Sequence, residues 1–209
     1  MWCVPKVRNS LIIIVHHLSP SISNTIRPRK SRARNRQSWS IPAFSNTTRS
    51  VALNQLKLHE TATVTLALKN IAMSFPAADY YGHPRSTQKH ENYFFADMHS
   101  FIAAMAKRFP IDLAITVGHP AMIGTGPLGG HTIETGIVIA STDALAADVV
   151  GARLLGFTPQ AVRHLWEAAR LGIGESDVHQ MRFPALSLRE AIGRFTEAAY
   201  GKRLDFEHA

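Results

Sequence analysis

Cysteine is nearly absent: Cys3 is the only one in 209 residues. An internal disulfide is therefore excluded, and so is an iron–sulfur cluster ligated by this chain, since such clusters take about four thiolates. Any redox chemistry has to draw on a partner or a bound cofactor, and the sequence leaves the cofactor unassigned. So few thiols suit a reducing compartment, and the cytoplasm is expected. Long apolar runs are also missing. Residues 11–15 form the longest run of the N-terminal segment and stop at His16-His17, well short of the ~20 residues of a membrane span or the ~7–15 of a signal-peptide core. Acid is missing from residues 1–50, which hold nine Lys and Arg and no Asp or Glu. No Gly-Lys-Ser/Thr follows the glycine-rich stretch, which excludes a phosphate-binding P-loop.

The charge is unevenly placed. Lys and Arg total 23 against 15 Asp and Glu; without the nine basic residues of the first fifty, fourteen face fifteen in residues 51–209. The body is close to neutral, so no specific nucleic-acid partner is expected. Residues 1–50, rich in Ser and Arg, read as a basic, disordered tail. A transit peptide or a mis-set start ahead of a truncated gene are alternative origins for it. Residues 51–209 read as one α/β domain.

Within that domain the pattern predicts a strand over 51–58 and a helix over 64–73, then a loop over 77–91. A helix follows over 93–109, where Phe94, Met98, Phe101, Ile102 and Met105 recur at helical spacing. Strands are predicted over 112–117 and 135–140, the second rich in β-branched residues. Helices are predicted over 143–155, capped by Ser141 or Thr142, and over 159–171, with a final strand over 178–183. Ser187-Leu188-Arg189-Glu190 is a capping box that opens a last helix ending near Gly201. Trp166 and Phe195 read as core. Alternating strands and helices predict a mostly parallel sheet covered by helices on both faces.

Three groups of residues are candidates for chemistry. Lys57 and His59 are two apart on a predicted strand and so share a face. Lys69, followed by Asn70, is an isolated cation on an otherwise apolar helix; a snorkelling surface Lys is the structural alternative. Gly124-Thr125-Gly126-Pro127-Leu128-Gly129-Gly130 contains a literal G-x-G-x-x-G. It leads into a strand rather than a helix, so it lacks the helix N-terminus that would receive a pyrophosphate. The stretch is either a turn between strands or a floor where a ligand approaches the backbone at Gly124, Gly126, Gly129 and Gly130. His119 and His131 bracket it, with Glu134 nearby; His119 is a candidate acid–base group. Asp148, among apolar neighbours, needs a buried partner, and a site cation could supply it.

Several of these motifs, in this order, resemble domain-of-unknown-function family 362. The family pattern is similar to Pro-Lys-x-Lys-x-His followed by Thr-x-x-x-Lys-Asn, of which this chain keeps Lys57, His59, Thr65, Lys69 and Asn70 and has Asn54-Gln55 for Pro-Lys. The resemblance spans about residues 51–185 and implies a domain corresponding to the C-terminal part of the family fold. Relatives are sometimes fused to iron–sulfur modules, which implies an iron–sulfur redox partner. His59, Lys69 and His90 (or His83) are similar in layout to the His/Lys/His set of nickel-pincer lactate racemases. Two acids that relatives place around the glycine-rich stretch are absent here, and no metal is assigned. The reading that follows is an enzyme-like site for a small anionic molecule. Lys57 and Lys69 would hold it, Asn70 and the glycines would line it, and His59 or His119 would move a proton. The competing reading is a non-catalytic remnant acting as a binding module.

Overall fold

The computed structural model describes residues 12–16, 49–74 and 97–205. His83 and His90 lie outside them. Six strands form one sheet: β1 (Ile13–His16), β2 (Val51–His59), β3 (Thr63–Thr65), β4 (Leu113–Thr125), β5 (Gly129–Ile133) and β6 (Ile137–Ser141). Their order is β1-β6-β4-β2-β3, with β5 paired to β4 beyond this path. The helices are α1 (Ala67–Ser74), α2 (Met98–Arg108), α3 (Ala144–Leu154), α4 (Arg163–Arg170) and α5 (Leu188–Tyr200).

The expected mostly parallel sheet is not what forms. Among the described residues only β2 and β4 run parallel; the other four pairings are antiparallel. A parallel pair needs a crossover through a helical layer, and β3, α1 and α2 supply one between β2 and β4. After β4 the glycine-rich stretch closes a tight hairpin into β5, and β6 then returns antiparallel along β4. A mixed α/β sheet is the outcome.

Nor do helices cover both faces among the described residues. Along β2, Ala52, Asn54 and Leu56 are buried, whereas Val51 and Leu53 are 54% and 66% exposed. Ile137, Ile139 and Ser141 of β6 repeat the alternation. One face therefore meets the helices and the other stays half-open, which is the antiparallel habit. On the covered face α3 is the central helix. All of its residues except Arg153 are buried, and Gly151 lets Leu56 and Leu66 approach its backbone, with a hypothetical Cβ meeting both within 3.3 Å.

Local chemistry sets the element ends. Asp143, rather than Ser141 or Thr142, caps α3 by accepting from the Ala146 amide at 3.0 Å. Ser187 caps α5 as the capping box predicts, and Gly201 ends it in the left-handed region at φ 69°. Residues 63–65 join β2 as a strand because Thr, Val and Thr are β-branched, so the helix starts at Ala67. The expected strand over 178–183 is a short 3-10 turn, Val178–Gln180, after Asp177 accepts from the His179 amide. Phe195 is buried as expected; Trp166 is 42% exposed and lies under the Arg170 guanidinium at 4.7 Å.

The N-terminal segment contributes to the fold. β1, inside the stretch expected to be a disordered tail, pairs with β6, and Ile12 and Ile14 are fully buried. The Ile12 amide also donates to the Arg182 carbonyl at 2.9 Å. Ile14→Ala should therefore lower the unfolding free energy by about 2–5 kcal/mol in urea titration. A change below about 0.5 kcal/mol would show that β1 does not pack on the sheet.

Candidate functional site

β2 ends in a short hairpin to β3, and the two lysines and first histidine of the site gather there. Lys57 pairs with Thr65 on β3 and Met122 on β4; His59 pairs with Thr63. Between Gln55 and Lys57 the β2–β4 register jumps from Val117 to Met122. β4 bulges out over 118–121 as a result. Gln55 ties the bulge down by donating to the Pro120 carbonyl at 2.9 Å, and Asn54 donates to Thr116 Oγ1 at 2.8 Å. The two residues that depart from the family pattern thus hold the parallel pair together.

The turn fixes the His59 ring. Its Nδ1 accepts from the amides of Thr61 and Ala62, both at 3.2 Å. With Nδ1 an acceptor, the single proton of the neutral ring sits on Nε2. Burial, with the charges of Lys69 and Lys57, pushes His59 down to about 4, so at neutral pH it is an uncharged N–H donor.

Lys69 enters from α1 and is only 7% exposed. Burial and Lys57 lower its ammonium to about 8. Among the described residues no carboxylate pairs with Lys57 or Lys69. The expected cation partner for Asp148 is instead the N-terminus of α1. Its two oxygens accept from the amides of Ala67 and Leu68 at 2.8 Å each, satisfying two of the donors that every helix start leaves open. Burial raises Asp148 to about 7 despite those bonds. Asn70, expected to line the ligand, donates from Nδ2 to the Leu53 carbonyl at 3.2 Å. It covers the edge of β2 beyond the end of β3.

Two further histidines belong here and were not singled out from sequence. His99 on α2 and His164 on α4 stack at 5.3 Å between centroids, with their Nδ1 atoms 3.1 Å apart. His164 is fully buried. Burial, His99, Lys69 and His59 together push it down to about 3. Burial also lowers His99, with Arg163 adding, while a hydrogen bond to the Thr61 backbone opposes. Thr61 therefore touches both His59 and His99. The available signal was weak: each histidine sits beside apolar residues of an amphipathic helix, Met98 and Ile102 in one case and Leu165 and Ala168 in the other.

The glycine-rich stretch abuts this turn but is filled by the protein itself. The Glu60 amide donates to the Gly126 carbonyl at 2.9 Å. A Cβ on Gly126 would come within 2.0 Å of the Leu58 carbonyl oxygen, and one on Gly130 within 2.4 Å of that of Ile123. Gly124, at φ 85°, and Gly129 serve the hairpin turn, with Thr125 Oγ1 donating to the Gly129 carbonyl. The turn alternative accounts for all four. His119 pairs with Glu134 at the surface and, among the described residues, no interaction joins it to Lys57, His59 or Lys69. Nor does any group of three His, Cys, Asp or Glu among them have the arrangement of a metal site. A cavity of about 290 Å³ lies elsewhere, lined by Ala106, Pro110, Ile111, Thr142 and Gly172 among others; Leu68 reaches it and Lys69 does not.

The fold and site define an α/β domain with a mixed sheet and a nitrogen-rich cluster, without an acid among the described residues, where its parallel strand pair meets a hairpin. The chain belongs to the family described as Domain of unknown function (DUF362), which matches residues 14–153. The match starts in the basic segment, well before residue 51, and stops in α3, so His164 lies beyond it. The chain is similar to Thylakoid-associated protein sll1697 of Synechocystis sp. (strain ATCC 27184 / PCC 6803 / Kazusa), 28% identical over 142 residues. That alignment takes in 68% of this chain and 43% of the relative, so the chain spans under half of the relative's length. No solved structure matches. No helix among the described residues is long and apolar enough to cross a membrane.

The buried imidazoles make stability sensitive to acid. His164 is held neutral to about pH 3 in the fold, whereas an unfolded His titrates near 6.5. Below about pH 6.5 the unfolded chain binds the extra proton, so stability is full above that pH and falls as pH drops. Between pH 7 and 5, His164→Phe should lose about 2 kcal/mol less than the wild type. Equal losses, read by urea titration at both pH values, would show that His164 titrates normally.

Proposed function

We propose that the cluster at the end of β2 binds a small anion, with the ammonium groups of Lys57 and Lys69 as its charged holders and His59 Nε2–H as a neutral donor. The observation that carries the reading is the burial of Lys69 beside Lys57 and His59 with no acid among the described residues to balance them. Burying like charges together costs free energy, and a bound anion offsets that cost. Perturbed, desolvated groups gathered in this way are a common mark of a functional site.

The two nitrogen types have different uses. His59 donates from a ring held by two backbone amides, so it orients an oxygen without contributing charge. Lys69, lowered to about 8, is the group that changes protonation nearest neutral pH, and a proton moved at this site would be its ammonium proton. The cytoplasm remains the compartment proposed for this activity, in keeping with a single cysteine.

Inorganic phosphate should raise the melting temperature of the wild type. The gain corresponds to about 2.7 kcal/mol when the anion is at a hundred times its Kd. Lys69→Met keeps the apolar stem and removes the charge, so it should melt normally and lose the response. A full response in Lys69→Met, or no response of the wild type to phosphate, sulfate or small carboxylates, would overturn the reading.

A further inference from the structure

An apolar row crosses the sheet on the face turned away from α3. Ile13 on β1 pairs with Ala140 on β6, Ala140 with Ile115 on β4, and Ile115 with Leu53 on β2. Register partners point to the same side of a sheet. The buried residues next to them in sequence, Ile12 and Ile14, Ile139, Ala114 and Ala52, point to the other. Ile13 and Leu53, at the two ends of the row, are 40% and 66% exposed, and Val51 beside Leu53 is 54% exposed. A continuous apolar surface of this kind marks a contact.

The topology of the sheet says what makes that contact. β1 is antiparallel to β6 and β6 to β4, whereas β4 is parallel to β2. β1 and β2 therefore point the same way, and residues 17–50 connect them past β6 and β4. Crossovers between parallel strands of one sheet are right-handed in about 98% of cases. The sheet has a second crossover, from β2 to β4, which travels in the opposite direction across the strands. It runs through α1, which Asp148 ties to α3 on the covered face. Two crossovers of the same hand that travel in opposite directions lie on opposite faces. The connection from β1 to β2 thus belongs on the open face.

We propose that the open face of the sheet is the docking surface for residues 17–48 of this same chain. The stretch carries the side chains such a face needs: Leu18, Ile22 and Ile26 on one side of the basic run 27–36, and Trp39, Ile41 and Phe44 on the other. The two apolar groups meet the row, and the charges between them stay in water. A crossover needs about a dozen residues or more, which residues 17–50 exceed. The basic segment then completes the two-sided covering of an α/β sheet. A second copy of the chain is the competing occupant.

Photo-crosslinking on the full chain tests this. p-Benzoylphenylalanine takes the place of Leu53, whose exposure lets the fold accept it, and circular dichroism checks that it does. After irradiation of dilute protein, peptide mapping by mass spectrometry should find the crosslinks within residues 17–48 of the same molecule. With the probe at Trp166 instead, exposed on α4, those crosslinks should be lost. Leu53→Lys gives a second reading: it should lower the melting temperature by several degrees, whereas such a change on a solvated surface has little effect. Covalent dimers whose yield rises with protein concentration would assign the face to a second copy and overturn the proposal. Crosslinks from position 53 that avoid residues 17–48, no crosslinks at all, or an unchanged melting temperature in Leu53→Lys would overturn it too.

Discussion

The buried carboxylate of Asp148 holds the site and the core in one structure. It sits on α3, the helix around which the domain packs, and both of its oxygens are taken by the first amides of α1. α1 is only eight residues long and would be marginal alone. Anchored to α3 by two short bonds, it delivers Lys69 to a fixed place. Without that anchor, α1 would start from two unsatisfied amides in the core, and the lysine would have no reason to stay buried. The interaction also explains why a carboxylate is tolerated at this depth: the helix dipole and two N–H groups partly replace the water it has lost.

A second constraint comes from the turn after β2. Thr61 offers its amide to His59 and its backbone to His99, and His99 in turn fixes His164. Three imidazoles from a strand, α2 and α4 are thereby linked through one residue. Burial lowers the proton affinity of each. The result is a cluster with no acid among the described residues, in which charge resides on two lysines and hydrogen-bond direction on the histidines.

Much of this was legible in the sequence. Two-residue spacing put Lys57 and His59 on one strand face, and an isolated Lys in an apolar helix marked Lys69. The literal G-x-G-x-x-G leads into a strand as expected, since Gly129 opens β5. What could not be read depended on partners distant in the chain. Asp148 was expected to meet a cation, because nothing local reveals that its helix lies over the start of α1. His99 and His164 are 65 residues apart, and single histidines beside apolar residues carry no pairing signal. The sheet direction was missed because a glycine-rich stretch between strands serves a crossover loop or a hairpin equally well, and only the β4–β5 pairing and the lack of room for a Cβ on Gly126 against the Leu58 carbonyl show it to be a packed turn. β1 was hidden by its basic surroundings, although Ile12 and Ile14 are as buried as any residue of the core.

The central claim is that Lys69 is a buried cation waiting for an anion, and its own titration tests this most directly. The lysine Cε and Nζ resonances, assigned by loss of one signal in Lys69→Met, can be followed against pH by NMR. The account predicts that Lys69 titrates near pH 8 in the free protein, well below an ordinary lysine, and moves upward when phosphate is added, because an anion favours its charged form. A Lys69 that titrates at the usual lysine value and does not respond to phosphate would contradict the account.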